Sequence, residues 1–129
     1  MKELENFYSS LHNRKEIYLY SPPYDTVISS GIIGLFKISF DLCILSIKEI
    51  LHDHGYAESQ TGSPRQILKT AYQAGMIKDE DLWLSALVHR NNVAHAYNKD
   101  IALDIVHATK DHFYSMFVEL KEEIENNWL

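Results

Sequence analysis

The segment TVISSGIIGLFKISFDLCILSIKEILHDH, from Thr26 to His54, decides the fold because it is the longest and most apolar stretch of the chain. Either Asp25 or Thr26 can accept hydrogen bonds from the first amides of a helix, and Gly55 suits the left-handed conformation that ends one. Apolar residues occur almost all round this predicted helix, so it must contact other helices on several sides. The stretch therefore predicts the central helix of an all-α bundle.

Charged residues interrupt this stretch and argue against a membrane span. A span needs about 20 consecutive, predominantly apolar residues, whereas this segment contains Lys37, Asp41, Lys48 and Glu49. The first residues of the chain, 1–5, include two acids where a secretory signal peptide would be apolar. We therefore expect a cytoplasmic protein with no membrane partner.

The remaining sequence predicts three more long helices and one short helix. The helices are expected over residues 3–19, 63–75, 79–97 and 98–125, with a polar loop over 56–62. Ser63-Pro64 is a strong helix start, because serine can cap the helix and proline is accepted at the first helical position. The predicted fold is an up-and-down four-helix bundle with an additional short helix, in one domain over residues 1–129.

The composition fits a folded domain and limits the function. The 129 residues are 46% apolar and 12% aromatic, which are globular values. A net charge of −6 argues against a generic nucleic-acid coat, because nonspecific phosphate binding needs clustered Lys and Arg. The single cysteine, Cys43, allows no internal disulfide, so a reducing compartment is expected. We expect no cofactor, and the histidines form no convincing metal site.

The segment RNNVAHAY, residues 90–97, carries the most distinctive side chains. In a helix that begins near Asp79, one stripe would contain Trp83, Ala86, Leu87, Arg90, Ala94 and Tyr97. Arg90 then places a permanent positive charge on an otherwise apolar face, and burying such a charge is costly without a partner. Arg90 should therefore either line a cleft or pair with an acid such as Asp41 across the bundle.

Several short motifs together resemble one known family. The matching residues are Asp41-Leu42, Ser63-Pro64-Arg65, Ala71-Tyr72, Gly75-Met76-Ile77, Asp81-Leu82-Trp83, and Arg90-Asn91 through His95 and Tyr97. In this order and spacing they resemble the nucleotidyltransferase substrate-binding proteins of the HEPN group, over about residues 26–125. Such proteins are small helical bundles, typically encoded beside a minimal nucleotidyltransferase. The resemblance implies a partner subunit in a two-protein, toxin–antitoxin-like module.

The resemblance also implies roles for the distinctive segment. In the HEPN group, the arginine and histidine resemble a metal-independent ribonuclease site, with His95 as acid or base, Arg90 stabilising phosphate charge and Asn91 orienting either group. Positions five apart on a straight helix lie about 140° from each other, so a two-fold homodimer would help to bring two copies of the segment to one cleft. Tyr97 resembles a tyrosine to which a partner nucleotidyltransferase transfers AMP in related toxin–antitoxin pairs.

The residues and the resemblance together suggest three alternative functions. The first is a substrate-binding or partner subunit of a minimal nucleotidyltransferase, itself modified on Tyr97. The second is an endoribonuclease toxin, acting on RNA and held in check by the same partner. The third is a ligand-binding bundle unrelated to RNA, with a groove formed by Trp83, Arg90, Tyr97 and Asp41. Structural roles stay open beside each: an Arg90–Asp41 ion pair, a helix-end His95, and Tyr97 and Trp83 as core aromatics.

Overall fold

The computed structural model describes residues 2–56 and 62–129, and this part of the chain is helical without a β-strand. The α-helical segments are α1 Lys2–Arg14, α2 Thr26–Asp53, α3 Pro64–Gln73, α4 Glu80–Asn92, α5 Lys99–Ala108 and α6 Tyr114–Asn127. A π-helical turn, Thr109–Phe113, joins α5 and α6 into one continuous helix. The predicted all-α helical bundle, with four long helices and the short α3, is confirmed.

The helix ends are fixed by caps that the sequence predicted. Asp25 Oδ1 accepts a hydrogen bond of 2.8 Å from the amide of Ile28 at the start of α2, and Ser63 Oγ accepts one of 3.3 Å from Gln66 at the start of α3. Gly55 and Gly75 follow α2 and α3 with φ angles of 92° and 82°, in the left-handed region. Of the loop predicted over 56–62, residues 57–61 lie outside the described residues.

Two predicted helices end earlier than expected. The first, expected over residues 3–19, changes from α-helix to the 3₁₀ turn Lys15–Leu19. The fourth stops at Asn92, and a 3₁₀ turn, Val93–His95, follows it. Asn98 takes an extended conformation and caps α5 through its side chain, so the chain must leave the helical path before that residue. The prediction that one stripe continues along the helix from Trp83 to Tyr97 is therefore wrong beyond Arg90.

The core is built around α2, which packs against α1, α3, α4 and α5. Phe36 of α2 is fully buried and stacks on Phe113, with ring centroids 5.2 Å apart. Phe117 of α6 contacts Phe7 of α1 and Trp83 of α4, so aromatic side chains from four α-helices and the π-helical turn meet here. Among the described helices, α2 is long and apolar enough to cross a bilayer, but its buried residues lie at the centre of the bundle.

Phe36→Ala should lower the free energy of unfolding by about 3–5 kcal/mol, because it removes a buried ring and leaves a cavity. Chemical denaturation followed by circular dichroism measures this loss. Val88→Ala is the matched control, since Val88 is largely exposed on α4, and its effect should stay within about 0.5 kcal/mol. An equal, small effect of both substitutions would contradict the proposed core.

Candidate functional site

Arg90 forms a two-pronged ion pair with Asp41. Its Nε donates a hydrogen bond of 2.7 Å to Asp41 Oδ1, and its Nη2 donates one of 3.1 Å to Oδ2. The pair joins α4 to α2, and planar bidentate contacts of this kind are among the stronger polar interactions in proteins. Lys37 lies one helical turn before Asp41, with its Nζ 3.9 Å from Oδ2. Of the two alternatives for Arg90, pairing with Asp41 across the bundle is the one that the structure shows.

The ion pair is only partly buried, and this determines what Arg90 can do. The Arg90 side chain keeps 27% of its accessible surface and that of Asp41 keeps 42%. The charge of Arg90 is therefore compensated inside the protein, while one edge of the pair meets solvent. A phosphate that bound Arg90 in the same bidentate manner would have to replace Asp41. As it stands, the geometry assigns Arg90 a structural role.

Of the other residues of the distinctive segment, Asn91 lies in the last turn of α4, and His95 and Tyr97 lie beyond the end of this helix. Asn91 and His95 are exposed, and Tyr97 keeps 88% of its accessible surface. The rings of His95 and Tyr97 meet edge to face, with centroids 6.3 Å apart. The structure thus forms two separate pairs, Arg90 with Asp41 and His95 with Tyr97. It does not make Tyr97 a core aromatic, because the early end of α4 turns this residue outward.

Two cavities flank the segment, and they divide the residues that the sequence predicted to share a groove. A cavity of about 490 Å³ between α4 and α6 is lined by Trp83, together with Met76 and Met116. A cavity of about 550 Å³ between α2 and α5 is lined by Tyr97, with Lys99 and Tyr24. Neither lining includes Arg90, Asp41 or His95. Trp83 and Tyr97, which were expected to share a groove with Arg90 and Asp41, thus line different cavities, and Arg90 and Asp41 line neither of them.

Trp83 is mainly a core residue. It is 3% exposed and packs edge to face on Phe117 at 5.8 Å. The rim of its cavity carries Asp79, Glu119, Glu122 and Glu123 alongside Lys78. Two of these acids are already engaged, since Asp79 Oδ1 accepts a hydrogen bond from the amide of Leu82, and Glu123 Oε2 accepts hydrogen bonds from Asn127 and Trp128.

Lys110 shapes the cavity beside Tyr97, and sequence reasoning did not identify it. Its Nζ donates hydrogen bonds to the carbonyl oxygen of Tyr20 and to the hydroxyl of Tyr24. The Lys110 ammonium also lies 5.0 Å from the Tyr24 ring centroid. These contacts fix Tyr24 as a wall of the cavity. They join residues about 90 positions apart in the chain, which no local sequence pattern connects.

His89 is a second residue that sequence reasoning left without a role. Its Nδ1 lies 2.8 Å from the carbonyl oxygen of Ser85, and its Nε2 lies 3.0 Å from Asp104 Oδ2 on α5. Its ring also packs on Phe113 at 5.1 Å. His89 therefore joins α4 to α5 as Arg90 joins α4 to α2. Adjacent residues of α4 thus fix its position between two neighbouring helices.

Comparison with known proteins identifies the class to which this bundle belongs. Residues 1–126 match the family described as nucleotidyltransferase substrate binding protein like. The chain belongs to that family, and the resemblance inferred from the sequence motifs is confirmed.

The fold is also similar to that of HI0074 from Haemophilus influenzae, with a TM-score of 0.71. The alignment covers 95% of this chain and 92% of that chain at 22% sequence identity. The HI0074 structure is described as revealing the fold of a substrate-binding domain of a nucleotidyltransferase. At this identity the similarity shows a shared fold. Among curated proteins, none gives a significant match to the sequence.

A double-mutant cycle on Arg90→Ala and Asp41→Ala should show a coupling energy of about 1 kcal/mol, because the pair is bidentate but partly exposed. Unfolding in denaturant measures the two single variants and the double variant. The coupling should shrink at high salt. Stability losses that simply add, with no coupling, would show that the observed contact contributes nothing to stability.

Proposed function

We propose that this chain is the substrate-binding or partner subunit of a minimal nucleotidyltransferase encoded nearby, in a two-protein module of the HEPN type. The observation that carries the proposal is the family match, which extends over residues 1–126. The similarity in fold to a domain described as binding substrate for a nucleotidyltransferase supports it. The acidic charge supports a protein partner over bulk RNA, since the chain carries a net charge of −6.

Within this proposal, Tyr97 is the residue that accepts AMP. Its exposure of 88% leaves the phenol accessible to the active site of another protein. It lies at a cavity that also contains Lys99, whose ammonium can pair with a phosphate. His95 is beside it, with ring centroids 6.3 Å apart. An acceptor tyrosine requires this accessibility, and a core tyrosine would lack it.

The proposed transfer is a nucleophilic substitution at phosphorus. The phenolic oxygen of Tyr97 attacks the α-phosphorus of ATP held by the partner enzyme, and a new O–P bond forms. The bond from the α-phosphorus to the bridging oxygen breaks, so that pyrophosphate leaves. The phenolic proton passes to a general base, for which the adjacent imidazole of His95 is the candidate in this chain. The product is AMP esterified to Tyr97, which adds a negative charge to this surface.

Incubation with the partner nucleotidyltransferase and ATP should increase the intact mass of the chain by one adenylyl group. Tyr97→Phe should abolish the increase, because it removes the attacking oxygen and keeps the ring. Tyr72→Phe is the matched control, since Tyr72 is also partly exposed, and it should be modified like the wild type. Either no adduct or an adduct that persists in Tyr97→Phe would contradict the assignment. A pull-down of the partner by Tyr97→Phe separates loss of modification from loss of binding.

The alternative function, a metal-independent endoribonuclease toxin, requires Arg90 to stabilise phosphate charge. The bidentate contact with Asp41 opposes that role, because the guanidinium is already neutralised. We therefore expect the chain expressed alone to be non-toxic and to leave RNA intact. Toxicity that disappears in both Arg90→Ala and His95→Ala would contradict this and select the ribonuclease. Circular dichroism of both variants checks that lost toxicity does not reflect lost folding.

The module proposed here contains a homodimer of this chain. The physical reason is that Arg90 pairs with Asp41 while His95 pairs with Tyr97, so that one copy does not combine all these groups at one point. A two-fold axis can place two copies of the segment on one surface.

A further inference from the structure

The cavity beside Tyr97 is large enough to hold a small molecule. It lies between α2 and α5, has a volume of about 550 Å³, and is called the α2–α5 cavity below. Cavities of about 300–1,000 Å³ are typical of small-molecule sites, which combine an apolar lining with a few placed polar groups. The lining of the α2–α5 cavity includes Ser29, Ile33, Tyr97, Lys99, Ala102 and Leu103.

One wall of the α2–α5 cavity carries a buried hydroxyl group. Ser29 is 7% exposed, and within the part of the chain that the structure describes its hydroxyl has no hydrogen-bond partner. In contrast, Ser46, Thr70 and Thr109 each donate to the carbonyl oxygen four residues earlier. A buried polar group without a partner is uncommon in folded proteins. Because Ser29 lines the cavity, its hydroxyl is available to a ligand there.

The α2–α5 cavity also carries a cation that no acid neutralises. Lys99 is exposed, and no acid of the described residues lies within ion-pair distance of its ammonium. Asp25 is the acid of the described lining, and its Oδ1 accepts a hydrogen bond of 2.8 Å from the amide of Ile28. Lys99 is two residues from Tyr97 in the chain. A phosphate near the Tyr97 phenol would therefore meet an unpaired positive charge.

The apolar part of the α2–α5 cavity suits a flat ring. Ile33 of α2 and Ala102 of α5 both line it and are 6% and 8% exposed. A purine has apolar faces, and the edge of adenine presents both an amino donor and ring-nitrogen acceptors. A serine hydroxyl can donate and accept, so Ser29 matches such an edge. The cavity thus combines an apolar surface, a free hydroxyl and a free cation.

We propose that the α2–α5 cavity binds adenosine monophosphate, with the base against Ile33 and Ala102, its edge at the Ser29 hydroxyl and its phosphate at Lys99. The AMP group that Tyr97 carries after the transfer occupies this cavity, a step that rests on the proposed function. In this step the nucleotide stays esterified to the phenolic oxygen and folds back onto its own chain. No covalent bond forms or breaks.

Attachment to Tyr97 makes weak binding sufficient. Because Lys99 is exposed to solvent, we expect a Kd for free AMP on the order of 0.1–1 mM. A group held by a short flexible linker has an effective concentration in the millimolar range. For the attached AMP, the docked form should therefore outnumber the undocked form by up to about tenfold.

The docked nucleotide would have a consequence for the lifetime of the modification. An enzyme that hydrolyses the ester between Tyr97 and AMP must reach the phosphate, which docking places against Lys99. Hydrolysis should therefore be slowed by up to about tenfold, the ratio of docked to undocked forms. Arg90 and Asp41 do not line this cavity. The docked AMP thus leaves their ion pair intact and covers the surface between α2 and α5.

Titration with free AMP tests the α2–α5 cavity without the partner enzyme. Spectra of the ¹⁵N-labelled chain should show saturable shifts of the amides of Ser29 and Ala102, with a Kd no higher than about 1 mM. Ribose 5-phosphate should bind at least about tenfold more weakly, because it lacks the base that contacts the apolar wall. Tyr97→Phe should bind free AMP like the wild type, because it keeps the ring.

Two variants test the polar contacts. Ser29→Ala should weaken AMP binding about fivefold, because the base loses one hydrogen bond. Lys99→Glu should weaken it at least about tenfold, because a like charge replaces the cation beside the phosphate. Lys69→Glu is the matched control for charge: Lys69 is exposed on α3 and does not line the cavity, so its affinity should be unchanged.

A third variant fills the cavity. Leu103 lines it and is only partly buried, so Leu103→Trp should occupy its volume and abolish AMP binding. Val88→Trp is the matched control, since Val88 is 55% exposed on α4 and lies outside the cavity. Circular dichroism checks that both variants fold. Because Lys99 is exposed, Lys99→Glu keeps the test valid if Leu103→Trp does not fold.

The attached nucleotide is tested after AMP transfer by the partner enzyme. Treatment with a phosphodiesterase, followed by intact mass against time, should remove AMP from the modified wild type two- to tenfold more slowly than from modified Lys99→Glu, as the docked fraction requires. Modified Lys69→Glu should lose AMP at the wild-type rate. Equal rates for the wild type and Lys99→Glu would overturn the docking of the attached group.

The results separate this proposal from the proposed function. No binding of free AMP by the wild type at concentrations up to about 5 mM, or affinities unchanged in Lys99→Glu and in folded Leu103→Trp, would overturn the site, whatever happens at Tyr97. Saturable AMP binding that both variants lose would support it. If the chain binds AMP in this way but gains no mass with the partner and ATP, the transfer to Tyr97 is rejected and the nucleotide site stands.

Discussion

The packing of α2 constrains every other part of this structure. The helix carries apolar residues on nearly all sides, but α1, α3, α4 and α5 cover only part of its circumference. On the covered side, Phe36 anchors a cluster of aromatic rings from several elements. On the uncovered side, Val27, Ile38 and Leu45 remain in contact with solvent. Burial in the core thus explains the apolar residues on one side of the helix.

The Arg90–Asp41 pair connects the core to the distinctive segment. It holds α4 against α2, and His89 holds the same helix against α5 through Asp104. Beyond these two contacts the helix ends, and the 3₁₀ turn carries His95 and Tyr97 outward. The position of Tyr97 is therefore a consequence of how α4 is fixed and of where it stops. The helix thus leads into an exposed tyrosine, as the AMP transfer that we propose requires.

Much of the fold could be predicted because local signals determine it. Asp25, Ser63 and Gly75 act through hydrogen bonds or backbone angles within a few residues, and the structure uses each as expected. The end of α4 could not be predicted, since it depends on Asn98, which caps the next helix and redirects the chain. Helical periodicity alone predicted that the stripe that begins at Trp83 continues to Tyr97. The π-helical turn at Thr109–Phe113 was missed for the same reason, because the apolar pattern passes through it unchanged.

The sequence predicted which residues belong to the candidate site, but it did not predict how they are arranged. The sequence indicated that Arg90 needs either an acid or a cleft, and Asp41 was recognised as the possible acid. Spacing along one helix cannot decide between them, because Asp41 is 49 positions away. Periodicity also could not predict which face of α2 is exposed. A helix that is apolar nearly all round gives no pattern that distinguishes the covered side from the uncovered side.

The central claim is our proposal that α4, which Arg90 and His89 hold against its neighbouring helices, presents the exposed Tyr97 to a nucleotidyltransferase. Native mass spectrometry of the chain mixed with the proposed partner nucleotidyltransferase tests this claim directly. We expect complexes that contain both proteins. The absence of any such complex would contradict the claim.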